Sequence, residues 1–182
     1  LSLHDALPIS LALQTAGIVV FLVIASIFEL PIKYMSAFDL DKKFGFSVIT
    51  QKLFWSDRLK ELLITAILAA LLGFAGVYFI ANFESWWIFL FLTLAFFIVA
   101  ANIVYPNFIA PMFNKFEDLD DEELKSGLTA LASKSGFTLE NIYKIDAGKR
   151  DTRLNAYFAG IGKTKKVALY DTLIQKLPKA QI

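Results

Sequence analysis

The chain has 182 residues, 57% hydrophobic and 15% aromatic, with a mean hydropathy of +0.57 and a formal net charge of +1. It is greasier than a soluble domain, and its charge balance argues against nucleic acid as a partner, since phosphate binding needs a concentrated basic surface. With no cysteine, a disulfide framework, thiolate catalysis and a thiolate metal site are excluded.

Residues 1–10 (LSLHDALPIS) have neither Met nor a basic n-region, so they are not a signal peptide. They read as translated adapter sequence and are set aside as a non-native leader, the alternative being a genuine loop. The first predicted span covers about 11–28, near the short end of the ~20 apolar residues a crossing helix needs. Leu30-Pro31 should close it, because a residue before proline is pushed out of the helical region. A mixed loop over 32–61 follows, then a second span at 62–83, a tight turn at Asn82–Ser85 and a third span at 86–105, ended by Pro106. Trp86 and Trp87 at one rim and Tyr105 at the other fit an aromatic belt. Gly73 and Gly76 could admit a neighbouring helix.

Charge sets the expected orientation. The 32–61 loop carries Lys33, Lys42, Lys43, Lys52, Arg58 and Lys60, whereas the Asn82–Ser85 turn carries no basic residue. The positive-inside rule puts the loop in the cytoplasm, and with it everything after Pro106. The remaining twelve basic residues lie there.

That polar part reads as a small α+β unit. Leu124, Leu128 and Leu131 recur at helical spacing over 120–135, with Asp120, Asp121, Glu122 and Glu123 in the first turn and Gly136 to cap the end. Strands are expected at 141–146, 155–159 and 166–170, with a polar loop at 147–153 and a turn at 160–165. Asp171 or Thr172 should cap a final helix. The fold class is thus mainly α and integral membrane: three transmembrane helices, then a partial small α+β domain over 107–182.

Within the chain there is no Ser-His-Asp set, H-E-x-x-H, P-loop or Cys cluster, and the one histidine, His4, falls in the leader. Glu29 is an ionisable group at a span end, where an interfacial carboxylate costs little. No catalytic or metal-binding residue is therefore assigned.

Three stretches carry a resemblance. They are Glu29-Leu30-Pro31 with Phe38-Asp39-Leu40 and Phe44-Gly45-Phe46-Ser47; Ile109-Ala110-Pro111-Met112-Phe113-Asn114-Lys115-Phe116; and Asn155-Ala156-Tyr157-Phe158-Ala159-Gly160 with Val167-Ala168-Leu169-Tyr170-Asp171-Thr172-Leu173. In this order and spacing the chain resembles the CAAX prenyl protease 1 family, multi-span zinc metalloendopeptidases of the endoplasmic reticulum and of bacterial membranes. The resemblance implies proteolysis of a peptide or protein substrate, including CAAX-box proteins in eukaryotic relatives, in a lipid bilayer. It implies zinc in the intact protein, held by an H-E-x-x-H helix and a later glutamate, with the intervening Glu activating water. That helix is expected within about ten residues beyond Ile182, so the chain reads as an N-terminal fragment, binding no zinc and inactive alone. The first membrane helix of the family also has no match here.

The resemblance makes Asn155, Ala156, Tyr157 and Phe158 the expected substrate-binding residues, on a strand along the cleft whose edge pairs with an extended peptide. Asn155 could hold substrate backbone or polarise the reacting carbonyl. Spacing alone favours reading Tyr157 and Phe158 as ordinary core aromatics and Asn155 as the end of a loop; the resemblance reverses that preference. Lys149, Arg150 and Arg153 either meet a substrate carboxylate or form a solvated loop. Two other readings stay open: a non-catalytic membrane protein with a partner-binding domain, and an HtpX-type membrane metallopeptidase.

Overall fold

The computed structural model describes residues 3–160 and 165–182, with side chains from Leu11 onward. The start of the leader and most of the expected 160–165 turn lie outside the described residues. In chain order the helices are α1 (Leu3–Phe28), α2 (Leu30–Met35), α3 (Asp41–Lys43), α4 (Gln51–Asn82), α5 (Trp86–Val104), α6 (Ala110–Phe113), α7 (Glu122–Lys134) and α8 (Asp171–Lys176). The strands are β1 (Phe116–Asp118), β2 (Asn141–Ile145), β3 (Ala156–Ala159) and β4 (Lys166–Tyr170). As expected, three helices are long and apolar enough to cross a membrane, and a small sheet with helices follows. The residues group into two compact units, 1–36 with 51–98 and 37–50 with 99–182.

Neither proline ends its helix as the sequence suggested. Pro31 sits in the first turn of α2, where a missing N–H costs little, and a π-helical turn at Ser36–Leu40 leads on to α3. The continuous helical segment is Leu11–Lys43. Pro106 lies inside a second π-helical turn, Tyr105–Ile109, which carries α5 into α6 and extends the helical segment to Phe113. A wider π turn absorbs the missing donor without breaking the rod. Likewise α4 begins at Gln51 rather than at the apolar Leu62, because QKLFWSDRLKE contains good helix formers and no Gly or Pro.

In the first unit α1 packs on α4. Gly73 faces Ile18 across this contact, where a Cβ would lie at ordinary van der Waals distance, 3.4 Å from Ile18 Cγ2. Phe54 and Asp57 are buried, and Tyr34 and Trp55 pack edge-on or tilted against the Phe54 ring and each other. Glu29 pairs with Lys33 at 2.9 Å. Most other large apolar side chains, such as Phe21, Leu71 and Phe96, stay exposed, as lipid-facing residues do.

The second unit is built on a four-stranded sheet of order β1-β2-β4-β3. β2 and β4 are parallel; β1 and β3 flank them antiparallel. One face buries Ile142 and Leu169 with Leu119 and Leu124, and Leu128 of α7 and Leu173 and Ile174 of α8 pack against them. The other face buries Ile145 and Ala168 against Phe116, Tyr157 and Tyr170. Asp121 caps α7 by accepting from Leu124 N at 3.1 Å, so the helix begins at Glu122. Gly136 closes it with φ +75°, a conformation that suits glycine, as Phe137 N donates back to Ala132 O at 2.9 Å.

Asp171 is not the cap of the last helix but its first residue. Its Oδ1 accepts from Gly148 N at 2.8 Å and from Thr172 N at 2.9 Å, tying the 147–153 loop to α8. Glycine suits this close approach: a Cβ on Gly148 would lie 3.0 Å from both Asp171 oxygens, which would have to shift by a few tenths of an ångström. Residues 45–48 run antiparallel to 150–152, with Val48 N donating to Arg150 O at 3.1 Å and Thr152 N to Phe46 O at 2.9 Å.

Candidate functional site

A four-stranded sheet has two edges, here β1 and β3. β3 holds three of the four expected binding residues, and Asn155 immediately precedes it. Asn155 O accepts from Tyr170 N at 3.0 Å, and the register continues Ala156 opposite Leu169, Tyr157 opposite Ala168 and Phe158 opposite Val167. In an antiparallel ladder the bonded pairs alternate. Asn155, Tyr157 and Ala159 therefore turn their main chain to β4, and Ala156 and Phe158 turn theirs outward. Asn155 Oδ1 accepts from Ala156 N at 2.9 Å. The acceptor end of this amide is thus engaged with its own strand, which leaves the donor end for any outward role. Beyond it, the edge offers Ala156 C=O, Phe158 N–H and Phe158 C=O.

The two aromatics part company. Tyr157 faces the core beside Ile145 and Ala168. Burial, with Tyr105 and Tyr170 nearby, pushes its phenol up to about 12. Phe158 is 50% exposed, stacked obliquely on Phe137 at 5.7 Å with Lys165 Nζ 5.9 Å from its ring. The core-aromatic reading therefore suits Tyr157 and not Phe158.

β3 also borders a cleft of about 550 Å³, whose lining includes Asn102, Tyr105, Asn114, Tyr157, Phe158 and Tyr170. Asn102, Asn114 and Tyr170 were not singled out from sequence as site residues, and Tyr105 was read only as a membrane-rim residue. A usable signal existed in the two asparagines, which interrupt the apolar stretch before Lys115. Asn114 Oδ1 accepts from Arg150 Nη1 at 2.8 Å, fixing one wall.

The loop cations are used internally. Lys149 pairs with Asp146 at 2.5 Å, and Arg153 pairs with Asp151 at 2.5 Å while its guanidinium lies 5.3 Å from the Phe46 ring. Burial raises the Asp151 carboxyl, but hydrogen bonds and charge from Arg153 outweigh it and hold it below its ordinary value. Both are ion-paired within the loop while staying in contact with solvent, the Arg153 side chain 55% exposed.

Among the described residues, no group of three or more His, Cys, Asp or Glu could hold a metal ion. The donor set for zinc is not met by these residues. What the arrangement can do is bind and orient an extended chain.

Residues 9–115 match the family described as CAAX prenyl protease N-terminal, five membrane helices, and residues 118–182 match peptidase family M48. CAAX prenyl protease 1 of Saccharomyces cerevisiae is 36% identical over 155 residues, covering 83% of this chain and 34% of that protein. The Dictyostelium discoideum homolog is 36% identical over 164 residues, covering 87% and 38%. The human homolog is 32% identical over 169 residues, covering 86% and 34%. A crystal structure of S. mikatae Ste24p matches with a TM-score of 0.81 and 32% identity, over 87% of this chain and 38% of that one. The chain thus spans little more than a third of the length of these relatives. The matches favour neither the partner-binding nor the HtpX-type alternative. On the sequence, the fold and these likenesses together, the chain belongs to the CAAX prenyl protease family, its polar part matching peptidase family M48.

Proposed function

We propose that this chain supplies the substrate-facing part of a membrane zinc metalloendopeptidase, and that the outer edge of β3 holds the substrate as an added strand. The binding residues are Asn155, Ala156, Tyr157 and Phe158. The carrying observation is the open edge: the main chain of Ala156 and Phe158 faces away from β4, beside a cleft. Main-chain pairing gives affinity while tolerating varied side chains, which suits a peptidase. Tyr157 anchors the strand from behind, Asn155 positions its start, and Phe158 offers an exposed aromatic to the incoming peptide.

The substrate is a peptide or protein, with CAAX-box proteins the natural candidates given the relatives' name. Zinc belongs to the intact protein; this chain alone binds none stoichiometrically and cleaves nothing. The polar part lies in the cytoplasm, of a bacterium or beside the endoplasmic reticulum, because the basic residues of 32–61 face the uncharged-to-acidic Asn82–Ser85 turn across the membrane.

The test uses the detergent-solubilised chain and a fluorescent peptide with a C-terminal CAAX sequence. Polarisation should rise on titration, and Asn155→Ala should weaken binding. Unchanged binding by a Phe158→Pro variant, whose outward N–H is gone, would contradict the reading. Zinc near one per chain, removable by chelator, would contradict the assignment of the metal to sequence beyond this part.

A further inference from the structure

The two faces of β3 present different chemistry to whatever lies along its outer edge. Phe158 stands opposite Val167 and shares its face of the sheet, while Tyr157 takes the other. Lys165, just before β4, brings its Nζ to the Phe158 side, 4.0 Å from the Phe137 ring centroid and 5.9 Å from that of Phe158. The two rings are 41% and 50% exposed and lie 5.7 Å apart. They form an open aromatic shelf with an ammonium on it. The Tyr157 face gives onto the cleft, where none of the described lining residues is charged.

The cation on the shelf has no counter-charge. Lys115, Lys144, Lys149 and Lys179 in the same unit each pair with an acid. Glu140 N donates to Lys165 O at 2.6 Å, yet the Glu140 carboxylate goes to Lys166, at 3.7 Å. Among the described residues no carboxylate pairs with Lys165, and its ammonium meets the two rings instead. The side chain is partly exposed, so a ligand can reach it. A ring face takes one side of an ammonium and leaves N–H donors for an acceptor. The rings also lower the local dielectric, which strengthens an ion pair formed beside them.

A strand added to β3 sets alternate side chains on the two faces and lies about 4.8 Å from it. We propose, resting on the strand-edge function above, that Lys165 is a specificity-determining residue. It pairs with a carboxylate of the bound peptide placed on the Phe137–Phe158 shelf. That carboxylate is an acidic side chain or the peptide's own C-terminus. One residue along the peptide, the same group would point into the uncharged cleft, where an unpaired charge is disfavoured. The preference therefore follows the two-faced alternation of a strand.

The test uses the detergent-solubilised chain and a short Ser/Val peptide, acetylated, amidated and carrying an uncharged fluorophore. Its polarisation titration is compared with those of peptides in which one Glu is moved stepwise along the sequence, and with the parent ending in a free carboxylate. One Glu position, or the free terminus, should bind about fivefold tighter than the neutral parent. Glu one residue to either side of the favoured position should show no gain. Lys165→Met should abolish the gain and Lys165→Arg should restore it, while Lys43→Gln, which removes a positive charge elsewhere, should retain it. The neutral parent should still bind Lys165→Met, which checks that the variant folds. A gain confined to the free terminus assigns the terminal carboxylate, and one confined to Glu assigns a side chain. No gain from any carboxylate, a gain that survives Lys165→Met, or equal gains at successive Glu positions overturns the proposal. If the parent binds and Phe158→Pro weakens it while no carboxylate is preferred, the strand edge stands and the role of Lys165 falls; if the parent does not bind at all, both fall.

Discussion

β1 and β3 close the same sheet on opposite sides, yet only β1 is guarded against pairing. At β1, Glu117 is held between Lys115 at 2.7 Å and Lys144 at 3.0 Å, and Asp118 accepts from Asn141 Nδ2 at 2.7 Å. Charge on an edge discourages a second strand. From Asn155 to Ala159 there is no charged residue, and Phe158 lies exposed. An unguarded edge on an isolated domain is an aggregation hazard; beside a cleft, in a family of peptidases, it is the place proposed above for substrate. The contrast teaches that the absence of edge protection carries information, provided the other edge of the same sheet shows what protection looks like.

The largest effect should remove the contrast altogether. Ile142 and Ile145 of the central β2 are 2% and 1% exposed. Ile142→Ala should cost about 2–5 kcal/mol, and faster hydrogen exchange should then appear at both edges together. A sharper cut separates them. Phe158→Pro removes an outward N–H without touching the β4 ladder and should weaken peptide binding about tenfold or more. Asp118→Pro, the matching change at β1, should leave peptide binding within about twofold; equal losses in the two variants would erase the distinction.

Smaller effects act on β1's side of the sheet. Asp121→Ala removes the α7 cap and should cost about 1 kcal/mol by denaturant titration, with peptide affinity retained. The smallest effect is acid dependence. The two lysines, Lys115 first, pull the Glu117 carboxyl down to about 2. A depressed carboxyl contributes stability above its unfolded value of roughly 4.3, and that contribution is lost as pH falls from there toward 2. The thermal midpoint gap between wild type and Glu117→Gln should therefore be full near neutrality and close by pH 2. A gap that widens on acidification would show that the ion pairs do not favour the folded state.

Much of this was legible in the residues. The apolar runs announced three crossing helices because a 3.6-residue rod in lipid needs little beyond length and apolarity. The acidic first turn, Gly136 and the alternation in NIYKI placed α7 and β2 to within two residues, although Asp121 proved to be the cap of α7 and not part of its first turn. Pro31 and Pro106 misled, because π turns downstream of or around a proline have no sequence signature that separates them from helix ends. β1 was missed since Phe-Glu-Asp is too short to show a period of two and forms through pairing with β2. At the site, the strand followed from sequence and family likeness, whereas the split between a core-facing Tyr157 and an exposed Phe158 did not, because both were open to a core-aromatic reading. The cleft wall of Asn102, Tyr105 and Tyr170 did not, because it is assembled from segments far apart in the chain. Nor did the engagement of Asn155 Oδ1 with Ala156 N, which depends on a single side-chain rotation.

The most direct measurement is hydrogen–deuterium exchange on the whole chain in detergent, with and without the CAAX peptide. The account predicts slower exchange over 156–159 on peptide addition, centred on the Phe158 amide, with 116–118 unchanged. Protection that appears at 116–118 instead, or at neither edge while the peptide is bound, would contradict it.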